Sequence, residues 1–458
     1  MNGADNPWRI EQRGIEQVPD AERHGNAQEL FYIWFAANIG FLGLLYGAMI
    51  LAYHLTFWQG IMVSLLGSAS FLLVGFLGIE GKNTGSPMLM IARRPFGDYG
   101  NTLPSLVSWV NLLGWETVIW VTATDAVLSL LQTVWRIRPG AFGTTVVFLC
   151  LGGFTFLVAL YGHATIVRVQ KWISLVFGLS TIAVVVELFV HHQVHFLRMG
   201  TPGSFTQSFL PATGLIILGA GLSWVTTASD YTRYLPTATP SSRIVLATFL
   251  GAAIPLVGII VSGMLLTPAL RDFATSPNPL GELGHGLPVF WTILFWITSA
   301  IGLLTENILA IYSSGLTLQT MRIRIARPWT AIVEFLLTGA AGWYFLISNS
   351  PFIGTFQSFL TLIGGTLAPW AGIMIMDSLA GMALPRFERR HHRRVGMPGL
   401  LAWLLGITTT LLFASSAIWN GPFANTLVGR SQSGFVVGFF VSFLAYGLLH
   451  LFSGRRIR

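Results

Sequence analysis

Hydrophobic and polar positions alternate along this chain on a scale much longer than that of a strand or an amphipathic helix. Stretches of 18 or more mostly apolar residues recur about twelve times, separated by short polar segments. Roughly 20 apolar residues in a helix cross a hydrocarbon core of about 30 Å. The pattern predicts spans at 29–54, 57–79, 102–131, 142–161, 168–190, 209–235, 244–268, 288–319, 328–348, 352–384, 397–418 and 431–453. With 53% hydrophobic and 10% charged residues in 458, a water-soluble fold could not hide this apolar surface. The mean hydropathy of +0.66 agrees. The chain reads as an all-α integral membrane protein of about twelve transmembrane helices.

Charge orients those helices. If residues 1–28 form a cytoplasmic tail, the loops on that side and the edges of the spans receive 21 of the 26 Lys and Arg residues, and the opposite side receives five. This is the positive-inside bias. It explains the net charge of +8 without invoking nucleic acid. Both termini, 1–28 and 454–458, are expected in the cytoplasm of a bacterial cell, with the protein multi-pass in its inner membrane. The tail carries no short apolar stretch with a cleavage site, so no signal peptide is expected. The basic loop 385–396, with the run 386–394, is expected to be a solvated topology signal; binding of anionic membrane lipids is the alternative. The single cysteine, Cys150, excludes an intrachain disulfide and fits a core or lipid-facing position.

The loops are too short for a soluble catalytic or nucleotide-binding domain. No Gly-rich phosphate loop with its Lys appears, and no Cys/His cluster suggests a metal. No cofactor is expected. A transporter or a channel-like pore remains. A membrane enzyme is the third class, for which His163 with Glu187 is a poor constellation. Glycine marks possible helix breaks. In span one, Asn38, Gly40, Gly43 and Gly47 interrupt an apolar run; in span six, Gly214, Gly219 and Gly221 precede Ser223-Trp224; in span ten, Gly364-Gly365 precede Pro369. Paired interruptions in spans one and six point to an inverted-repeat transporter with a midplane site. Close helix packing through glycine is the plainer alternative.

Ionisable groups at membrane depth are costly and face an interior or an interface. Glu187 and Glu334 are expected near an interface, and Asp125 fits one as well. Glu116, in Gly114-Trp115-Glu116-Thr117, and Glu306, in Thr305-Glu306-Asn307, are the better candidates for coupling or gating. Trp115 offers a stacking face, and Asn307 offers a donor and an acceptor on one planar amide, a pair suited to a flat heterocycle. Since the chain has 16 Trp, packing is the other reading of Trp115 and Trp224. Asp230 is expected to pair with Arg233 or to cap backbone groups at the end of span six, in a structural or gating role. Asp377, after Pro369, has similar standing.

The chain resembles the nucleobase–cation symporters of the purine-cytosine permease type over nearly its whole length. The resemblance rests on Gly85-Ser86-Pro87 with Ala92-Arg93-Arg94-Pro95-Phe96-Gly97, on Gly114-Trp115, and on the run from Ser229 to Pro236. It rests also on Tyr312-Ser313-Ser314-Gly315-Leu316 with Gln319, and on Phe356-Gln357-Ser358-Phe359-Leu360 through Ala368-Pro369 to Asp377. It implies a LeuT-like 5+5 inverted repeat plus two C-terminal helices, working by alternating access. The first repeat would cover 29–190. The second would cover 209–348 and be completed by span ten at 352–384; the additional helices would lie in 397–453. The resemblance places substrate between spans one, three, six and eight, which assigns ring stacking to Trp115 and Trp224, polar recognition to Asn307, and a span-one contribution to Asn38 or Gly40.

Two departures matter. Family members often carry an amide one turn after the span-three tryptophan; here that residue is Ile119. Sodium-coupled members use hydroxyls five and six residues before the span-eight asparagine. Here those residues are Gly302 and Ile301, with Thr298 and Ser299 earlier. The oxygen ligands that a hard cation wants are thus incomplete, and a proton gains over sodium as coupling ion. The sequence reading is secondary uptake of cytosine or a purine, coupled to protons. A carrier of another planar heterocycle (hydantoin, allantoin, uracil or a thiamine-precursor pyrimidine), coupled to protons or sodium, is the alternative.

Overall fold

The computed structural model describes residues 7–40, 42–191, 202–269, 288–348, 352–383, 394–416 and 419–455. Most of the basic run, 386–393, lies outside the described residues. The membrane-crossing elements follow the hydrophobic pattern. Span one is α1 (Ala27–Asn38) with α2 (Leu42–Ala52), and span two is α3 (Phe57–Ser68) with α4 (Phe71–Thr84). Two single turns, α5 (Met88–Ile91) and α6 (Arg93–Phe96), lead to α7 (Thr102–Trp135), α8 (Ala141–Tyr161) and α9 (His163–His191). Span six is α10 (Leu210–Gly219) followed by a 3-10 segment, Gly221–Thr227. Then come α11 (Ser241–Leu266), α12 (Val289–Thr320), α13 (Arg327–Ser348) and α14 (Phe352–Ala383). Finally α15 (Met397–Phe413), the turn α16 (Leu427–Arg430) and α17 (Gly434–Arg455) close the chain.

Among the described residues nine helices are long and apolar enough to cross a membrane; the bent pair α1–α2 makes a tenth, and α15 and α17 are shorter apolar helices. Together these give the twelve spans that the sequence predicts. Burial is inverted relative to a soluble protein. Phe142, Leu179 and Val190 point outward, whereas Ser64, Thr124, Gln170 and Ser313 are buried. Cys150 is on the outside. Spans six and eight are central and span five is peripheral.

Helix contacts repeat with a shift of five. Span one packs on spans seven and five, and span six packs on spans two and ten. Span eight packs on span five, and span three packs on span ten. Spans three and eight, two and seven, and four and nine pair directly. Such self-consistent exchange is what two related five-helix units produce. The remaining pair, α15 and α17, packs together and against α14.

The two breaks have local causes. At the end of α1 the Asn38 amide donates to the Trp34 carbonyl at 2.8 Å, and the chain then bends by 61° into α2. In span six α10 stops at Ala220, whose φ of −112° and ψ of −114° are not helical. Tyr46 donates to the carbonyl of Gly219 at 3.1 Å and so satisfies an acceptor that the break leaves open. A Cβ at Gly219 would strike the Tyr46 ring, and one at Gly221 would strike the Ser70 backbone; both glycines are required by close approach.

Residues 7–28 are in part packed onto the helices rather than solvated throughout. Val18 and Arg23 are buried; Val18 N–H donates to the Gly85 carbonyl, and the Arg23 guanidinium donates to the carbonyls of Val18 and Lys82.

Candidate functional site

Spans three and six meet along one face. Ser108 and Asn111, and Trp115 a turn beyond Asn111, share a side of α7. Ser108 donates to Thr226 Oγ1 at 2.7 Å, and the Asn111 amide donates to the Ser223 carbonyl at 3.3 Å. Both partners lie in the 3-10 segment that carries Trp224, so Trp115 lies one turn beyond a contact with the residue before Trp224. Trp224 meets Trp34 of span one edge to face at 5.4 Å, and Trp115 meets Phe359 of span ten at 5.7 Å. Both aromatics are thus packed edge-on against a neighbouring ring.

The other expected site residues separate into groups. Asn307 is buried on α12, but its amide points to Thr155 of span four at 3.5 Å, and its carbonyl oxygen has no partner. Asn38 spends its amide N–H on its own helix end. Glu306 is close enough to Tyr46 for a charge on either to affect the other. Because Tyr46 also holds the Gly219 carbonyl, Glu306 lies by both helix breaks.

Gly40, Thr298 and Ser299 do come together. They line a narrow cleft with Ile39, Thr181 and Phe295. Thr181 and Thr298 each leave a buried hydroxyl unpartnered, while the rest of the lining is largely apolar. The chain's Gly302 explains the departure from the hydroxyl pattern. A Cβ there would stand 3.2 Å from the Gly40 Cα, tighter than ordinary van der Waals contact, so the backbone of span one would have to give by a few tenths of an ångström.

Asp230 caps rather than pairs locally: its carboxylate accepts the Met88 N–H at 3.0 Å, at the start of α5. Arg233 turns instead to Glu11, a residue that sequence reasoning missed. Glu11 Oε1 accepts from Tyr234 at 2.5 Å and from Arg233 and Tyr312 at 3.3 Å each, and Oε2 accepts the His163 N–H at 2.9 Å. Arg233 also donates to the Gly14 carbonyl at 2.7 Å. Burial raises the Glu11 pKa, but Arg233, Arg327 and these hydrogen bonds outweigh it and hold the carboxyl below its ordinary value of 4.5. This latch ties the amino-terminal segment across spans five, six and eight. Asp377 belongs to a separate network on the same side: Arg94 at 2.9 Å and Tyr446 at 2.9 Å hold it, and Arg94 also reaches Glu80.

Glu334 corrects another expectation. It faces the protein interior, fully buried on α13, where the Trp109 indole donates to it at 2.8 Å. Glu116, on the same helix as Trp109, is fully buried too.

A twelve-span bundle with two broken helices, aromatic side chains at one break and polar groups collected in its middle defines a secondary transporter, not an enzyme. The family model described as a permease for cytosine/purines, uracil, thiamine and allantoin matches residues 17–436, and the chain belongs to that family. A putative purine-cytosine permease of Bacillus subtilis, YxlA, is 23% identical over 466 residues, covering 96% of both chains. The purine-cytosine permease fcyB of Emericella nidulans is 26% identical over 471 residues, covering 96% of this chain and 88% of its own. Among solved structures, Mhp1, a nucleobase-cation-symport-1 family transporter, in a closed conformation with bromovinylhydantoin bound, superposes with a TM-score of 0.76. It is 19% identical, with 100% of this chain and 96% of that one covered. At that identity the likeness establishes the fold.

Proposed function

We propose that this permease imports a nucleobase, cytosine or a purine, by proton symport and alternating access across a bacterial inner membrane, with both termini cytoplasmic. The observation that carries this reading is the junction of spans three and six, where Asn111, one turn before Trp115, donates to the carbonyl of Ser223, next to Trp224 in the 3-10 segment that follows the break. Indole faces suit a flat ring, and unwound peptide groups suit its polar edge. Asn307 contributes its unpartnered carbonyl oxygen. The purine-cytosine permeases among its relatives support the substrate class.

Proton coupling is supported by the close approach of Gly302 to Gly40 and by the apolar lining of the neighbouring cleft. One observation favours sodium: Thr298 and Ser299 do face the break in span one. Uptake of radiolabelled cytosine, adenine, hypoxanthine and uracil into proteoliposomes, under a proton or a sodium gradient, separates the two. Trp115→Ala and Asn307→Ala are expected to lower uptake with insertion intact. Wild-type rates in both would remove these residues from the site.

A further inference from the structure

Two carboxyl groups lie buried on α7 and α13. Glu116 of α7 and Glu334 of α13 are both fully buried, and the Trp109 indole, two turns before Glu116 on α7, donates to Glu334 at 2.8 Å. Ser314 of α12 is the polar neighbour of both. The cluster is incomplete: neither Glu116 oxygen, nor Glu334 Oε2, nor Ser314 Oγ completes a hydrogen bond. Buried polar atoms are nearly always satisfied, so four unpartnered atoms meeting in one place require an explanation.

The surroundings supply one positive charge. Arg327, one helical face below Glu334 on α13, interacts with it and is itself buried, with Nε and Nη2 unpartnered. It lies over the Tyr312 ring at 5.0 Å. From α7 itself the facing group is the Trp109 indole. Of the two titratable groups on α8, Cys150 faces outward and Tyr161 meets Trp8. On α14 Asp377 is engaged by Arg94, and on α12 Glu306 lies toward Tyr46. With one proton on the two glutamates, the set Glu116, Glu334 and Arg327 is neutral. Without it the set carries one negative charge in a dry interior, which is costly.

We propose that Glu116 and Glu334, with Ser314 beside them, form the proton-carrying site of the transport cycle. The loaded pair is one carboxylic acid and one carboxylate; the O–H bond breaks when the site opens to the cytoplasm, and the proton leaves to water. Glu116 adjoins Trp115, so ring binding and proton loading act on the same turn of α7. The pair also communicates with the latch, because Arg327 interacts with Glu11 and Tyr312 as well as with Glu334. This proposal rests on the nucleobase reading above.

The test uses the full chain in proteoliposomes, with labelled cytosine or hypoxanthine outside, an imposed inward proton gradient and a pH dye inside. Glu334→Gln and Glu116→Gln are expected to lower the accumulation ratio to about one and to abolish lumenal acidification, since a ligand with no linked proton only equilibrates. Counterflow, which needs no net proton movement, is expected to fall far less. Where either glutamine variant fails to insert, Ser314→Ala keeps both carboxyls and is expected to shift the pH midpoint of uptake. Wild-type accumulation and acidification in the glutamine variants, or an unmoved midpoint in Ser314→Ala, would overturn the proposal. A wild-type protein driven by sodium with no acidification would overturn it too, while leaving the base reading intact. A wild-type protein that moves none of the bases under any gradient would defeat that reading instead.

Discussion

Two buried clusters of charge differ in how completely they are satisfied. In the latch, both Glu11 oxygens accept hydrogen bonds and most of the Arg233 guanidinium has partners. In the membrane core, Glu116 has none and Glu334 has one donor. Both clusters are equally removed from water, so burial alone does not set the outcome. A closed network fixes a position, and removing one member strands the rest. An open one leaves room for something that comes and goes.

That contrast can be broken most forcefully at the latch. Arg233→Ala leaves Glu11 buried without its counter-charge and is expected to cost about 3–5 kcal/mol. Thermal unfolding in detergent checks this, and replacing Glu11 and Arg233 together by apolar residues is expected to recover much of the loss. A smaller effect is expected from Trp109→Phe, which removes the one donor to Glu334. A hydrogen bond to a charged group is worth about 1.5–3 kcal/mol, so the pH profile of uptake is expected to move by about one unit or more toward alkaline pH. A profile that does not move would equate the two clusters.

Acidity sharpens the comparison from the other side. Glu11 titrates below 4.5 in the latched protein, so its contribution is complete above that ordinary value and is lost as pH falls through the lowered one. A spin label attached beforehand to a cysteine placed in the amino-terminal segment is expected to be immobile at pH 7 and mobile under strong acid. The smallest effect is expected at the half-exposed pair Arg13–Glu22, where Glu22→Gln should change stability by less than about 1 kcal/mol.

The spans were legible in the sequence because membrane thickness imposes a minimum apolar length, and the breaks were legible as Asn38–Gly40 and Gly219–Gly221. Trp115 and Glu116 stood out as a stacking face and a charge in an apolar run. Glu11 did not, because an acidic residue in a polar tail looks solvated until its partner, 222 positions away, is in place. Glu334 misled for a related reason. It follows Arg327 by two helical turns, a placement that reads as a membrane edge, yet the start of α13 is covered and Arg327 itself is buried. Gly302 read simply as a missing hydroxyl; that it admits the Gly40 backbone is a tertiary fact.

Anchoring through Glu11 has a practical corollary for anyone handling the molecule. A segment tethered to the body it binds acts at a high effective concentration that dilution and expression level cannot change. Tags, fluorescent fusions or purification handles appended ahead of that glutamate would load this attachment directly. The opposite end of the polypeptide, beyond α17, is the safer place to attach them.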